Sequence, residues 1–407
     1  MKRKTYFKLF TFCLLAVSIN FFEARFIPEN LLKYARFLFL LYAIVISVPH
    51  MFRITGPFTL PVKLISISIT VSILAAFYSW NQGFVDSLKA TVQYLLWATL
   101  FFFLHARIPL PTVEKIVVFF GFCYMALFFF QFLNPSQVYF GWAEEFIEDR
   151  GIIRIMLPGA GVFYFTLFLA LARLTSAKTF KAAWLLLLLG ALTVLIMQVT
   201  RQAIACVLIL IVFHFIRNKG FFKKILILGT FTGLLVYISY SENPIVEGLM
   251  ESQEKTEAEG KDYVRIVAAN YFLTEFSPTT VSRVIGNGVP YGSDTSYGQF
   301  ERNLWQQGIF LSDVGLIAFY ALFGILAVVA YVMIWIRSFR IKVPPRYYHL
   351  QYYMAFLLGT SLTSNYIYSY SFIITTVLVL YCFTRIHEKA IEQGTVPAPA
   401  RYQPVNE

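Results

Sequence analysis

Long apolar runs constrain this chain more than any other feature. The stretch "LTVLIMQVTRQAIACVLILIVF" (192–213) holds a single charged residue, Arg201, and comparable runs recur along the sequence. Hydrophobic residues make up 58% of the 407 positions and charged residues 14%, with a mean hydropathy of +0.65. Because backbone groups in lipid must be paired within their own segment, such runs predict membrane-spanning helices. The expected fold class is therefore an all-α polytopic membrane protein.

The apolar runs predict about twelve transmembrane helices, with ends placed to within about four residues. The run from Ala182 to Ile216 is too long for one crossing, so we divide it at "VTRQ", which puts Arg201 at a helix end. The first run follows "MKRK" without a small-residue cleavage site and is predicted as a retained first helix. The predicted spans are 6–22, 35–50, 60–79, 88–105, 115–133, 155–172, 182–199, 202–216, 225–241, 312–336, 349–365 and 367–384.

Basic residues are concentrated in the loops on one side of these spans. The clusters "KRK", "RLTSAKTFK", "RNKGFFKK" and "RSFRIKVPPR" all fall on the side of the N-terminus, where acidic residues are few. The positive-inside rule then places both termini in the cytoplasm. The net charge of +12 is explained by topology, and no nucleic-acid partner is expected. The cysteines lie within the apolar runs, which indicates neither a disulfide framework nor a Cys-based metal site.

This orientation divides the chain into four parts. We expect a membrane domain at 1–241, an external loop at 242–311 between helices 9 and 10, a second membrane domain at 312–384 and a disordered cytoplasmic tail at 385–407. A shorter external segment covers 134–154. In the long loop an amphipathic helix is predicted, with an apolar stripe at Val264, Val267, Ala268 and Tyr271, followed by an irregular stretch rich in Gly, Ser and Pro. Long irregular loops are often functional.

Three arginines lie near helix ends on the predicted external side: Arg154, Arg201 and Arg265. Each alone has an ordinary explanation, since a helix-end arginine can reach lipid headgroups and Arg265 can pair with Asp262 three residues earlier. Together they stand where the headgroup of an outer-leaflet substrate would lie. Guanidinium groups bind phosphate bidentately and keep their charge. The three residues are therefore candidates for binding a pyrophosphate leaving group without a metal ion.

The chain resembles the bacterial O-antigen polymerase and O-antigen ligase superfamily over most of its length. The resemblance rests on about a dozen spans and on four segments in order: "RGIIRIMLPGAGVFYFTLFLALA", "TRQAIACVLIL", "RIVAANYFLTEFSPTTVSRVIGNGVPYG" and "ERNLWQQGIFLSDVGLIAFYALFGIL". It implies the all-helical architecture of type C membrane glycosyltransferases and an undecaprenyl-pyrophosphate-linked glycan as donor. It also implies that Arg154, Arg201 and Arg265 grip the pyrophosphate, with no metal or other cofactor.

One departure favours a polymerase over a ligase. Ligases of this superfamily carry a histidine before the asparagine that opens the last part of the loop, whereas this chain has Arg302 before Asn303. All its histidines are predicted on or near the cytoplasmic side, so a general base on the external side would have to be a carboxylate. The catalytic candidates are Glu301 and Asp313, beside Arg201 and Arg265. Asp294 and the pair Glu148 and Asp149 are weaker candidates.

Several loop residues are candidates for binding the glycan. Tyrosine and tryptophan rings can stack on sugars, although interfacial aromatic residues are equally common in membrane proteins. The candidates are Tyr291, Tyr297, Arg302, Asn303 and Trp305. The motif "GNGVPYG" follows no strand and opens no βαβ unit, so Gly286, Gly288 and Gly292 are predicted to be turn residues and not a nucleotide site.

The predicted function is polymerisation of lipid-linked repeat units into O-antigen, capsule or another surface polysaccharide, at the external face of a bacterial cytoplasmic membrane. The enzyme would be a metal-independent inverting glycosyltransferase, surrounded by membrane lipids and with a chain-length regulator as a candidate partner. The nearest alternative is a ligase that passes finished glycan to a lipid or protein acceptor. From other classes, a lipid-linked oligosaccharide flippase would show repeat symmetry and midplane charges, and a metal-dependent type C enzyme would need acidic residues in "FFEARFIPEN".

Overall fold

The structure, a computed structural model, describes residues 3–142, 148–149, 152–217, 219–239, 258, 260 and 263–395. Within these residues the fold is helical, apart from a two-residue antiparallel pair in which Glu148 lies opposite Ile153. The helices are α1 (Arg3–Ser18), α2 (Glu29–Met51), α3 (Thr59–Trp80), α4 (Phe84–Thr91), α5 (Thr99–Ala106), α6 (Leu110–Leu133), α7 (Ala160–Ser176), α8 (Lys181–Met197), α9 (Arg201–Ile216), α10 (Phe221–Ser239), α11 (Val264–Thr274), α12 (Thr280–Ile285), α13 (Ser296–Gln306), α14 (Gly315–Arg340), α15 (Tyr348–Thr360) and α16 (Tyr370–Glu392).

Each of the twelve predicted spans overlaps a described helix, but several of these helices begin or end within the predicted bounds. Five described helices, α2, α3, α6, α14 and α16, are long and apolar enough to cross a membrane. A sixth span would be the pair Phe84–Thr91 and Tyr94–Ala106, which is bent by 56°. The apolar parts of α1, α7, α8 and α9 are shorter. The chain is thus an all-helical protein of the membrane type. The break in the fourth span was not predicted, because 88–105 contains neither glycine nor proline.

Helices α7 and α16 form the centre of the bundle. Every residue of α7 from Gly161 to Ala172 is buried, and α7 contacts α6, α8, α15 and α16. Glycines allow two of these contacts to be close: a Cβ atom on Gly121 of α6 would lie 2.0 Å from the Thr166 hydroxyl, and one on Gly161 would lie 2.8 Å from the Ser371 carbonyl. Small residues at helix crossings are the usual means of packing helices in a membrane, where burial of apolar surface gives no drive.

The loop at 286–289 is inserted into a kink of α14. The helix breaks at Gly324, whose φ of 81° and ψ of 177° are not helical. The carbonyls of Ala321 and Leu322 instead accept hydrogen bonds from the backbone N–H groups of Asn287 and Gly288, both at 2.9 Å. Gly286 and Gly288 have positive φ, which confirms that they are turn residues. A loop segment thus replaces helix hydrogen bonds and is fixed to the membrane part.

Part of the predicted long loop differs from expectation. Its first residues, 242–257, lie outside the described residues. The amphipathic helix exists as α11, but it buries Ala268 and Phe272 while Val264 and Val267 are exposed. The stretch that was predicted to be irregular contains two helices, α12 and α13. Both begin with threonine N-caps, at Thr279 and Thr295, whose hydroxyls accept hydrogen bonds from backbone N–H groups.

The two ends of the bundle carry different residues. Arg154, Arg201 and Arg265 stand at one end, at the start of α7, α9 and α11, and we call it the arginine end. The histidines lie at the opposite end, which we call the histidine end: His50, His105, His214, His349 and His387. The carboxylate of Glu114 lies there 2.5 Å from the Arg173 guanidinium and 3.7 Å from the His349 ring.

Candidate functional site

Two of the predicted arginines lie within electrostatic reach of one of the predicted carboxylates. Arg154 precedes α7, Arg265 is in the first turn of α11, and Asp313 ends the 3-10 turn Leu311–Asp313 before α14. Burial raises the pKa of the Asp313 carboxyl above its usual value, while Arg265 and Arg154 act on it in the opposite direction. Their mutual influence places the three charged groups together, although they come from distant parts of the sequence. We call them the arginine–aspartate cluster.

Tyr366 adds a neutral hydroxyl to this cluster. It lies between α15 and α16, next to the turn Asn365–Ile367, and its ring stacks on Phe372 at 4.4 Å. Burial raises the pKa of Tyr366, and both Arg154 and Arg265 lower it, so the phenol faces the same arginines as Asp313. Tyr366 therefore stays protonated at neutral pH and can donate a hydrogen bond to an anion held there. No sequence motif pointed to this residue.

Arg201 begins α9, as the division of the long apolar run predicted. Thr200 is the residue before the helix, and Val199 adopts a φ of 52°, which makes the turn from α8 tight. The next residue, Gln202, donates to the Gly359 carbonyl at 3.0 Å and accepts from the hydroxyls of Thr363 and Ser364. The first turn of α9 is thus fastened to the segment 359–364.

The same segment joins Arg201 to the arginine–aspartate cluster. The Ser361 carbonyl accepts the Leu316 N–H at 2.6 Å, and a Cβ on Gly315 would lie 1.9 Å from the same oxygen. Gly315 follows Asp313 by two residues, and Tyr366 follows Ser364 by two. The three predicted arginines therefore stand at one end of the bundle around a shared frame, which is formed by the 359–366 segment and the start of α14.

Glu301 is the second carboxylate of the site. It lies on α13, and burial raises its pKa from 4.5 to about 7. Its electrostatic neighbours are the phenols of Tyr94, Tyr297 and Tyr368. Between residues that the structure describes, no ion pair includes Glu301. A carboxyl group with a pKa near neutrality has the properties of a general acid or base.

Tyr368 links the two carboxylates. Burial and both carboxylates, Glu301 and Asp313, raise the pKa of its phenol. The phenol donates a hydrogen bond to the Leu311 carbonyl at 2.8 Å, two residues before Asp313. Glu301 and the arginine–aspartate cluster therefore flank one buried tyrosine, so that an acceptor near Glu301 and a leaving group near the arginines would be neighbours.

A basic pocket of about 730 Å³ opens beside this site and was missed by sequence reasoning. Its cations are Lys33 and Arg36 of α2 and Lys89 of α4, and Glu23 supplies its carboxylate. Arg36 donates to the Gln93 side chain and lies over the Tyr370 ring at 4.5 Å. No sequence motif pointed to Arg36, and only the fold brings it to the same pocket as Lys89.

The predicted glycan-binding residues separate into two groups. Tyr297 is fully buried, stacks on Trp80 at 4.4 Å and donates to the Gly288 carbonyl at 3.1 Å. This corrects the expectation for Tyr297, because a covered ring cannot stack on a sugar. Tyr291 lines the basic pocket, with the Lys89 ammonium 5.4 Å from its ring. Arg302, Asn303 and Trp305 are exposed on α13 and available to a ligand.

The remaining acidic candidates contribute less. Asp294 is exposed and accepts a hydrogen bond from the neighbouring Ser293 hydroxyl at 3.3 Å. Glu148 and Asp149 form one strand of the short antiparallel pair, and the residues before them, 143–147, lie outside the described residues. Among the described residues, no group of three or more His, Cys, Asp or Glu side chains could hold a metal ion.

An apolar groove of about 540 Å³ lies on the flank of α14. Its lining includes Leu273 of α11, Val284 of α12, and Leu316, Ile317 and Tyr320 of α14. Leu316 and Ile317 lie one helical turn beyond Asp313. The groove therefore runs from the arginine–aspartate cluster along the apolar side of a helix that is long enough to span a membrane.

Comparison with known proteins adds no identification. No protein-family model matches the chain, and no curated protein is significantly similar to it.

Proposed function

We propose that the protein is an integral-membrane glycosyltransferase that polymerises undecaprenyl-pyrophosphate-linked repeat units into a surface polysaccharide. The observation that carries the proposal is the convergence of Arg154 and Arg265 on Asp313, beside the helix that Arg201 begins. Several guanidinium groups around one point suit a pyrophosphate better than a single phosphate or a carboxylate. Asp313 would hold the arginines in position until the substrate anion replaces it as their partner.

The site lies at the external face of the bacterial cytoplasmic membrane in this proposal. All twelve predicted spans cross the membrane, the four shorter apolar helices included, and residues 242–311 form the external loop. Both termini are then cytoplasmic, as the basic clusters of the histidine end favour. The apolar groove on α14 takes the isoprenoid chain of the donor, since it begins beside Asp313 and continues along a spanning helix.

The reaction transfers the glycan with inversion. The acceptor hydroxyl attacks the anomeric carbon, its proton passes to the Glu301 carboxylate, and the bond from the anomeric carbon to the pyrophosphate oxygen breaks. The leaving undecaprenyl pyrophosphate takes the electron pair of that bond. Arginines that meet this growing charge stabilise the transition state more than the ground state, which is what accelerates a reaction. Glu301 suits the role of base because it is half ionised near pH 7.

The positions of the histidines support a polymerase over a ligase. All of them lie at the histidine end, at the far ends of helices whose other ends surround the site. His50 stacks on His105 at 3.9 Å, and His214 is bonded to Tyr352 at 2.8 Å. An imidazole base of the kind found in similar ligases would have to stand near Arg302 and Asn303, where this chain has none.

Arginine substitutions test the proposal directly. Alanine at Arg201 or Arg265 should each lower turnover by about 100- to 1,000-fold, the usual loss when a contact to developing charge is removed. The readout is a gel that resolves surface polysaccharide by repeat units, in a deletion host complemented with each variant. Loss of the ladder, with glycan capped at one repeat unit, is expected. Lys115→Ala, at the other end of the bundle, is the matched control for insertion and expression.

The same gel separates the alternatives. Full-length polymer that stays on its lipid carrier and never reaches its final acceptor would identify a ligase. A normal ladder in Arg201→Ala and Arg265→Ala, at normal protein levels, would show that the arginines bind no pyrophosphate.

A further inference from the structure

The basic pocket is built from two kinds of surface. Its rim carries three cations, Lys33, Arg36 and Lys89, and one carboxylate, Glu23. The Glu23 carboxylate accepts a hydrogen bond from the Asn20 amide. Its wall is apolar and comes mainly from α2, through Leu32, Phe37, Leu38 and Leu40, together with Val92 after α4. A cavity of about 730 Å³ with a cationic rim above an apolar wall matches an anionic amphiphile, that is, a charged headgroup joined to a hydrocarbon chain.

Arg36 is held ready for an anion. The Gln93 side-chain oxygen accepts from one terminal nitrogen of its guanidinium, and the Tyr370 ring lies under its carbon atom at 4.5 Å. Between residues that the structure describes, no ion pair includes Arg36, while Lys89 pairs with Asp86 at 3.2 Å. A guanidinium fixed by neutral partners keeps its charge and its remaining N–H donors for a ligand.

The pocket continues into the part of α2 that would face lipid. Leu38, Leu41 and Val45 are 64%, 36% and 58% exposed, and α2 is the least buried of the candidate spans. These residues follow the pocket wall at helical spacing. A hydrocarbon chain attached to a headgroup at Arg36 could therefore run along α2 without leaving the apolar layer.

The pocket also communicates with Glu301. Tyr94 lies within electrostatic reach of Glu301, of Tyr370 and of Arg36. Tyr368 lies within electrostatic reach of Tyr94, Glu301 and Asp313. This arrangement places Glu301 within electrostatic reach of tyrosines that also sense the pocket and the arginine–aspartate cluster.

From this arrangement we infer that Lys33, Arg36 and Lys89 form a second lipid-pyrophosphate site, which holds the acceptor while the arginine–aspartate cluster holds the donor. The inference rests on the proposed function, since a polymerase joins two glycans that are both attached to carrier lipid. A ligase has no need for two carrier-lipid sites. The acceptor hydroxyl would then reach Glu301 from the pocket, and the anomeric carbon of the donor from the arginine side.

Native mass spectrometry of the full-length protein, delipidated in detergent and titrated with undecaprenyl pyrophosphate, tests the inference. The wild type should hold two lipid molecules. Arg36→Gln combined with Lys89→Gln should hold one, with the dissociation constant of the lost site raised about tenfold or more. Arg265→Gln should also hold one, and the combined variant none. Lys115→Gln is the matched control and should hold two.

Each other outcome has a definite meaning. Two bound lipids in the Arg36 and Lys89 variant would overturn the inference. Displacement of the pocket lipid by dioleoylphosphatidylglycerol at equal concentration would also overturn it, because the pocket would then be an ordinary phospholipid site. Displacement by inorganic pyrophosphate alone would show that the apolar wall contributes nothing. If Arg265→Gln still holds two while the pocket variant holds one, the donor role fails and the pocket assignment stands.

Discussion

The two ends of the bundle use buried charge in opposite ways. At the histidine end, Glu114 lies within 4.0 Å of Arg173, Arg346 and His349, so one carboxylate joins α6, α7 and α15. At the arginine end, the charged groups stand on short turns and loop helices, and carboxylates are separated from one another by tyrosines. Charges on long helices that neutralise each other hold a fold together. The proposed function instead assigns the charges on short elements at the arginine end to a ligand.

The largest expected effect lies at the histidine end and concerns stability. Arg173→Ala leaves the Glu114 carboxylate buried with only Arg346, at 4.0 Å and half exposed, as a charged arginine partner. Removing one member of a buried ion pair lowers the free energy of unfolding by about 3–5 kcal/mol. The unfolding midpoint in detergent should fall, while turnover per folded molecule stays near that of the wild type. The double variant Glu114→Gln/Arg173→Met should lose less unfolding free energy than Arg173→Ala, since it leaves no buried charge without a partner.

The opposite result would break the comparison between the two ends. If Arg173→Ala kept the unfolding midpoint but abolished turnover, the histidine end would take part in the reaction, and a coupling between the ends would be needed.

The next effect concerns the pH dependence of turnover at the arginine end. A carboxyl base works only when ionised, so the proposed role of Glu301 predicts that turnover rises with pH through about 7, the pKa to which burial raises this carboxyl. Glu301→Gln should lower turnover by about 100-fold or more and remove that rise. Glu275→Gln, an exposed carboxyl of the same loop, is the control and should keep both. A wild-type profile that is flat from pH 5 to pH 8 would exclude Glu301 as the base.

The free energy of unfolding should depend on the same carboxyl, but it should fall as pH rises, whereas turnover should increase. The folded state holds the Glu301 proton up to about pH 7, whereas the unfolded chain releases it near 4.5. The folded state binds more protons in between, so stability is highest below about 4.5 and falls until about pH 7. The loss is at most roughly 3 kcal/mol for a shift of this size. Glu301→Gln should therefore unfold at a higher temperature than the wild type at pH 8, while being inactive.

The same contrast explains what the sequence could reveal. The helices were predictable because apolar runs of about 20 residues leave a membrane chain no alternative to helix. The position of Arg201 at the start of a helix followed from the length of its apolar run, and the structure confirms that position. The ion pairs of Glu114 could not be predicted, since Glu114, Arg173 and His349 are single residues in separate helices.

The contacts between residues far apart in the sequence could not be predicted for the same reason. Nothing in "FFEARFIPENLLKYARF" relates Arg36 to Lys89 or to Glu301, and only the packing of α2 against the broken fourth span brings them together. Asn287 was also missed, although its buried amide donates to Ser277 and to the Ala321 carbonyl and accepts from Trp80. Its role depends on the kink at Gly324, which hydropathy does not record.

The smallest effect separates packing from binding among the loop aromatics. Tyr297→Phe keeps the ring on Trp80 but removes the hydrogen bond to the Gly288 carbonyl, which should lower the free energy of unfolding by about 0.5–1.5 kcal/mol. Turnover should stay unchanged. Trp305→Ala, at a side chain that is 48% exposed, should leave stability within about 0.5 kcal/mol but raise KM for the lipid-linked glycan. If Tyr297→Phe raised KM instead, the loop would have to open for substrate, and its buried ring would belong to the arginine end's ligand site after all.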